Sequence, residues 1–250
     1  MSVGLYTLTR STLFNLKMYR LYWPHLISIC MLMPITYLVI VFAVSQGDLE
    51  TLLAALTGYI IMSGFNILFY MSAIYVANTF EEQVLESYVL LPVPFWEVVV
   101  SVVVTQGLIG IPSLVVGLVI IFLVSRSIHI PLLLAGLILL YLVYSSLSIL
   151  LGMQVKSRIK LDPLLITLMM LTIIITPAYY RLLYVSEPYR TLLLLNPLTH
   201  IVIVLRASVG VNEGFPVTLS LLYITLFSTL ISLLVWWKLR GGAFTVLEKR

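Results

Sequence analysis

Few side chains in this sequence could do covalent chemistry, and none is spaced to do it. Paired aspartates facing each other inside a bilayer would make an intramembrane protease, but Asp48 and Asp162 both sit at the ends of apolar runs. The histidines, His25, His129 and His200, share no ligand spacing, and no His-Glu-x-x-His zinc motif is present. There is no Gly-x-Ser-x-Gly elbow. No Gly-x-x-x-x-Gly-Lys-Ser/Thr phosphate loop occurs, so the chain has no such route to ATP. Cys30 is the single cysteine and lies in an apolar run, which excludes an intrachain disulfide and a cysteine-based zinc site. The sequence therefore predicts a non-enzyme with no catalytic residue, no metal and no cofactor of its own.

Composition names the solvent of the chain. Of 250 residues 61% are apolar and only 10% charged, with a mean hydropathy of +1.13; soluble domains carry about 25% charged residues. So apolar a chain cannot cover its surface in water. Its cations fall in short clusters between apolar runs, which is a topology signal and not a nucleic-acid one. An all-α integral membrane protein follows, read as one domain over 1–250. Spans of about 20 residues are expected near 24–45, 52–77, 95–124, 131–153, 163–185 and 216–238. The first ends in a small-x-small sequence, Ala43-Val44-Ser45, but is too long for a signal-peptide core and reads as a true span. The third is long for a straight crossing, and Gly107, Gly110, Pro112 and Gly117 are candidate kinks. Pro177 predicts a bend in the fifth.

The flanks of these spans carry the remaining structure. Over residues 1–22, Leu5, Leu8, Thr12, Leu16 and Tyr19 share one helical face while Arg10, Lys17 and Arg20 share another sector, the pattern of a helix lying in the membrane interface. In 186–215, the apolar runs Leu192–Leu195 and Ile201–Leu205 are too short to cross, which predicts a re-entrant helical hairpin before the last span. Asn196 and Pro197 between them read as an N-cap and a first helical residue. With both chain ends inside, the inner segments hold Arg10, Lys17, Arg20, Lys156, Arg158, Lys160, Lys238, Arg240, Lys249 and Arg250, against Arg126, Arg181, Arg190 and Arg206 outside. That asymmetry predicts cytoplasmic termini and six crossings of a cell membrane.

One inner loop runs against the cation trend. Residues 78–94 hold Glu81, Glu82 and Glu86 and no cation. A short helix there would put Glu82 and Glu86 on one side and Val84, Leu85 and Tyr88 on another, ending at Pro92 and Pro94. Such a helix suits docking to a basic groove on a partner; a solvated turn kept out of lipid by its acids fits the composition equally well. Inside the spans, Asn66, Gln106, Ser145, Ser146, Ser148, Thr172 and Thr176 must face protein or water. They either line a translocation path or hydrogen-bond helices together. No ionisable residue stands at a span centre, which disfavours ion-coupled transport.

Two of these segments resemble the type-2 ABC transporter permeases. Glu81, Leu85-Glu86 and Pro92 are similar to that family's Glu-x-Gly-Thr-Leu-Glu-(five residues)-Pro stretch, and Asn196-Pro197-Leu198-Thr199 followed by Arg206 is similar to its Asn-Pro-Leu-Thr-(six residues)-Leu-Arg stretch. The amphipathic beginning and the six-span layout match as well, so the likeness covers nearly the whole chain. It departs at Gln83-Val84, where the family has Gly-Thr, and at Glu82, where it has a basic residue. The resemblance implies an exporter subunit that pairs with a second permease chain, identical or related, and docks two separate ATPase subunits through the coupling helix at 81–92. ATP and magnesium would be bound by those partners. The apolar spans point to an amphipathic or lipid-like cargo. Asn196, Pro197, Thr199 and Arg206 are expected to be structural, with Arg206 neutralising carbonyls or an acid, Glu187 or Glu213. The competing readings are a six-span channel and a membrane anchor or assembly protein without a transport path.

Overall fold

The computed structural model describes residues 3–19, 33–45, 47–81 and 94–247. The described chain is helical, with no strand among the described residues. Its elements are α1 (Val3–Tyr19), α2 (Met33–Ser45), α3 (Leu49–Thr79), α4 (Phe95–Val124), α5 (Ile130–Val155), α6 (Arg158–Ile175), a single 3₁₀ turn at Leu182–Tyr184, α7 (Tyr189–Leu194), α8 (Pro197–Ser208) and α9 (Val217–Leu247). Four of these, α3, α4, α5 and α9, are long and apolar enough to cross a membrane. Charge is placed accordingly. Glu50 and Glu97 lie in the first turns of α3 and α4, and α5 carries no charged residue over 26 positions. Crossing segments that keep charge to their ends, as these four do, are built for an apolar slab. The protein is a membrane-embedded helical bundle.

The hub is α3. In its most apolar stretch 94% is buried, against 56% for α5, 22% for α4 and 17% for α9. Helices α2, α4, α5, α6 and α8 pack around it, leaving α4 and α9 to present apolar faces outward: Leu108, Ile111, Val119 and Phe122 on one, Leu222, Leu226, Leu230 and Leu233 on the other. The hub is continuous but not uniform, since Phe65–Met71 is π-helical. Asp48 caps its start, its carboxylate accepting from the Thr51 amide at 2.8 Å. Helix α4 runs antiparallel to the hub, with Gly117 at Tyr59 and Gly110 at Ile67, while α5 runs parallel to it, with Tyr144 at Ile61 and Gly152 at Val76. Tyr59 donates to the Ser113 carbonyl at 2.8 Å, and Ser63 and Ser113 share a hydrogen bond at 2.5 Å. At the far end of α3 the Cα of Gly152 lies against Val76 and the Ala73 carbonyl. The bundle thus has a Glu50 end and a Glu81 end.

Several expectations change here. The segment read as a fifth span at 163–185 is helical only from Arg158 to Ile175. Pro177 bars the α conformation at Thr176, which is extended with φ −111° and ψ 125°. Residues 176–181 then pass irregularly through the protein interior, with Ala178 and Leu182 fully buried. The third span is a single 30-residue helix. Its glycines serve as contact points instead of breaks: Gly107 meets Tyr141, Gly110 meets Ile67 and Gly117 meets the Tyr59 ring. The face of α1 read as membrane-bound, with Leu8, Thr12 and Leu16, turns toward the protein; Tyr6, Leu13 and Phe14 are the exposed apolar side chains. Within the acidic loop, Glu82, Leu85, Glu86, Tyr88 and Pro92 lie outside the described residues.

Candidate functional site

At the Glu50 end the chain gathers most of its buried charge. The sequence places Arg206 in the last turn of the 12-residue helix α8, where a cation is favoured by the helix dipole. Its guanidinium is 1% exposed. It donates to Glu213 Oε1 at 3.0 Å, and to the carbonyls of Tyr180 at 3.0 Å, Ala178 at 3.1 Å and Ala54 at 3.2 Å, with Thr57 Oγ1 at 3.4 Å. Glu213 is fully buried and holds a second cation, Arg181, at 3.1 Å, while its other oxygen accepts from the Leu183 amide at 3.3 Å. Arg181 continues outward to Glu50 at 2.9 Å, a half-exposed carboxylate on the hub. Arg190 of α7 donates to the Gly214 carbonyl at 2.6 Å. Two cations and two acids alternate, so the network is neutral once the half-exposed Glu50 is included, and every nitrogen bond of Arg206 ends on an acceptor. Removing one member of such a set strands its neighbour, which costs about 3–5 kcal/mol.

The same assembly contains the Asn196 hairpin. Asn196 Oδ1 accepts from the Leu198 amide at 3.1 Å, and Pro197 occupies the first position of α8. The other half of the amide reaches across to α6, donating to the Ile175 carbonyl at 3.0 Å and to Thr176 Oγ1 at 2.9 Å. One residue therefore starts α8 and closes the end of α6, where helical carbonyls are left without partners. His200 ties the hairpin to α9. Its Nε2–H donates to the Leu194 carbonyl at 2.9 Å, its Nδ1 meets Ser220 Oγ at 3.1 Å, and its ring packs on Tyr223. Thr199 is fully buried and its hydroxyl has no partner, so this residue contributes packing. An open cleft of about 190 Å³, lined by Ile203, Ala207, Asn212, Glu213, Phe215 and Val217, lies beside the network.

At the opposite end the acidic loop begins. Glu81, two residues past the end of α3, accepts from the Arg158 amide at 3.5 Å and so sits at the N-terminus of α6. Tyr70 on the π-helical stretch donates to Asp162 on the same helix. The first turns of α6 are thus bound to the hub at two points, one of them the first acid of the loop.

The polar residues within the helices are mostly satisfied by their own backbone. Asn66 donates to the Met62 carbonyl, Ser145 to Leu142, Ser148 to Ser145 and Thr172 to Leu168. Ser146 bonds across to Ser232 of α9 at 3.0 Å. Gln106 is buried in α4. Of this group only Thr176 joins the hairpin, through Asn196.

No family model matches the chain, and no curated protein matches it.

Sequence reasoning paired Arg206 with Glu187 or Glu213; the partner is Glu213, and Glu187 instead accepts from Thr191 within α7. Arg181 enters the sequence reading only as an outer cation, and Glu50 does not enter it. The signal that would have found them is the balance of acids and cations in the segments assigned to one side of the bundle. Glu97 at the start of α4, only 2% exposed, accepts from Thr7 of α1.

Proposed function

We propose that this chain is the membrane-spanning permease subunit of an ATP-driven exporter. Two such chains, identical or related, would enclose the export path and dock two separate ATPase subunits at the Glu81 end, which is then the cytoplasmic side of a cell membrane. In this reading there are six crossings: α2 with the residues before it, α3, α4, α5, α6 with the irregular stretch 176–185, and α9. The hairpin α7–α8 enters from the Glu50 side and returns without crossing. A 12-residue helix rises only about 18 Å, short of a hydrocarbon core of roughly 30 Å.

The observation that carries the reading is the position of the acidic loop on the hub. The most buried helix of the bundle runs directly into it, and Glu81 touches the next inner corner at Arg158. A partner that grips this loop holds α3 and α6 together, and α3 in turn contacts α2, α4, α5 and α8. Movement of the ATPases would reach the packed core by that lever, as a two-state rearrangement of helices. The Asn196 hairpin, anchored through Arg206 and Glu213, would be the fixed outer element against which the helices shift. The cargo is amphipathic or lipid-like, in keeping with spans that hold no ionisable residue at their centres.

The test is co-purification from native membranes, with Glu86→Lys and Tyr88→Ala beside the wild type and an expression control. The wild type should bring down an ATPase and drive transport in inverted vesicles. Either variant should insert normally but lose the ATPase, since charged groups at a partly desolvated interface matter by about 2–5 kcal/mol. Recovery of the wild type without any ATPase, or normal coupling in both variants, would overturn the reading.

A further inference from the structure

We infer that the exposed face of α1 is a binding strip for anionic phospholipid headgroups. This does not rest on the permease reading, because it follows from how α1 is fixed and what it leaves uncovered. The helix is held to the Glu81 end of α4 by Thr7, which donates to Glu97, and by Asn15, which donates to Ser101 Oγ at 3.1 Å. Thr12 is buried between them. Two polar ties just over two turns apart fix the rotation of α1 about its own axis as well as its position.

That rotation turns Tyr6, Thr9, Arg10, Leu13, Phe14 and Lys17 outward. Their spacing alternates between three and one, so they form one continuous face. Tyr6 is 48% exposed, Leu13 57% and Phe14 62%. Arg10 lies over the Tyr6 ring at 4.8 Å. Arg10 and Lys17 stand two turns apart, about 10 Å along the axis, and neither meets an acid among the described residues. Glu97, the acid that α1 does touch, is buried and engaged with Thr7.

The level of the strip is set by its neighbours. Trp96, beside Glu97, packs edge-on against Trp236 of α9, and Arg240 lies over Trp236 at 4.1 Å; Trp237 is exposed to the outside. Tryptophans with arginine at the ends of spanning helices mark the headgroup layer. A helix face of aromatic and aliphatic groups between two cations that meet no acid among the described residues, at that level, has the chemistry that complements a lipid surface carrying negative charge. The apolar side chains enter the acyl boundary and the cations take the phosphates.

The full-length chain, purified in uncharged detergent, is titrated with phosphatidylglycerol or phosphatidylcholine of identical acyl chains and its adducts are counted by native mass spectrometry. The wild type should prefer phosphatidylglycerol. Arg10→Gln with Lys17→Gln should reduce that preference roughly 25-fold, on the order of fivefold per cation, and Arg10→Lys with Lys17→Arg should restore it. Lys156→Gln with Lys160→Gln, exposed cations at the α5–α6 corner, should leave it unchanged. In vesicles, Tyr6→Trp should add fluorescence that brominated lipid quenches, over the wild-type background. An unchanged preference in the Arg10/Lys17 glutamine variant, an equal loss in the Lys156/Lys160 variant, or an added tryptophan signal that brominated lipid does not reach would overturn the inference. So would loss of a bound protein from the Arg10/Lys17 variant with phosphatidylglycerol binding intact.

Discussion

The Cα of Gly58 faces the carbonyl of Ala178 so closely that a Cβ at position 58 would lie 1.9 Å from the oxygen. The contact joins the hub to the extended segment after α6. It also sets the carbonyl that Arg206 uses, since Ala178 O accepts from Nη2 at 3.1 Å. Only glycine permits it, because the obstacle is backbone and not the end of a flexible side chain.

Gly58→Ala should therefore be among the most damaging single-methyl changes in the chain. Overpacking in a close-packed interior costs about 1–3 kcal/mol, and displacement of Ala178 adds the loss of an Arg206 hydrogen bond. A lower yield of folded protein and a lower thermal midpoint in micelles are the expected readouts. A midpoint equal to the wild type would show that the backbone at 178 can move aside.

Arg206→Met and Glu213→Gln should each destabilise by about 3–5 kcal/mol, through different losses. The first leaves the carbonyls of Ala178 and Tyr180 without their donor; the second leaves two buried guanidinium groups with one half-exposed counter-charge, Glu50. Because they share one contact, the double variant should fall short of the sum by about 0.5–3 kcal/mol. Denaturant midpoints of the four proteins measure this, and additivity would mean that the pair is not coupled.

At the hairpin, Asn196→Ala removes a cap and two ties to α6, while Asn196→Asp keeps only the cap. The cap alone contributes about 1 kcal/mol. Aspartate also sets a carboxylate against the Ile175 carbonyl, a repulsion that a bond donated by the Thr176 hydroxyl offsets only in part. Asn196→Asp should thus be no better tolerated than Asn196→Ala, although aspartate is as good an N-cap as asparagine. Protease resistance of the 176–208 region tests the ranking; wild-type resistance in Asn196→Asp would show that the side-chain amide nitrogen does not matter.

Asp48, in the turn between α2 and α3, gives a pH signature. Hydrogen bonds from the Thr51 hydroxyl, first, and the Thr51 amide hold its carboxyl below the ordinary value of 3.8. A carboxyl lowered by folding adds stability that is complete above its unfolded value. That stability is lost as the pH falls through 3.8 and then through the lower folded value. The thermal midpoint difference between wild type and Asp48→Ala should be constant near neutrality and shrink below about pH 4. A difference that grows on acidification would contradict the capping role.

Much of this architecture is legible in the residues because it is local. Length and apolarity alone place α3, α4, α5 and α9, and Asn196-Pro197 declares the start of α8 because capping is decided within four residues. What was not legible depends on contacts across the bundle. Residues 178–185 are apolar enough to pass for the end of a span, and hydropathy cannot separate a lipid-facing helix from an irregular segment whose first part, through Leu182, lies in the protein. Pro177 carried the needed signal, through its effect on Thr176. For α1, the periodicity gave the helix but not its rotation, because Thr7 and Asn15 find their partners some ninety positions away, at Glu97 and Ser101.

The π-helical stretch Phe65–Met71 gives the hub two phases. Each residue of an α-helix advances the side-chain direction by about 100°, and a turn bonded i to i+5 accommodates residues out of step with that rhythm. The half of α3 before the stretch aims Gly58 at Ala178 and Tyr59 at Ser113; the half after it aims Ala73 and Val76 at Gly152. Deleting a single residue between 65 and 71 would restore a uniform helix and turn one half by about 100° against the other. Gly58 could then no longer face Ala178 while Val76 faced Gly152. The two ends of the bundle hold separate angular settings on one unbroken backbone, and the joint between them lies near its middle.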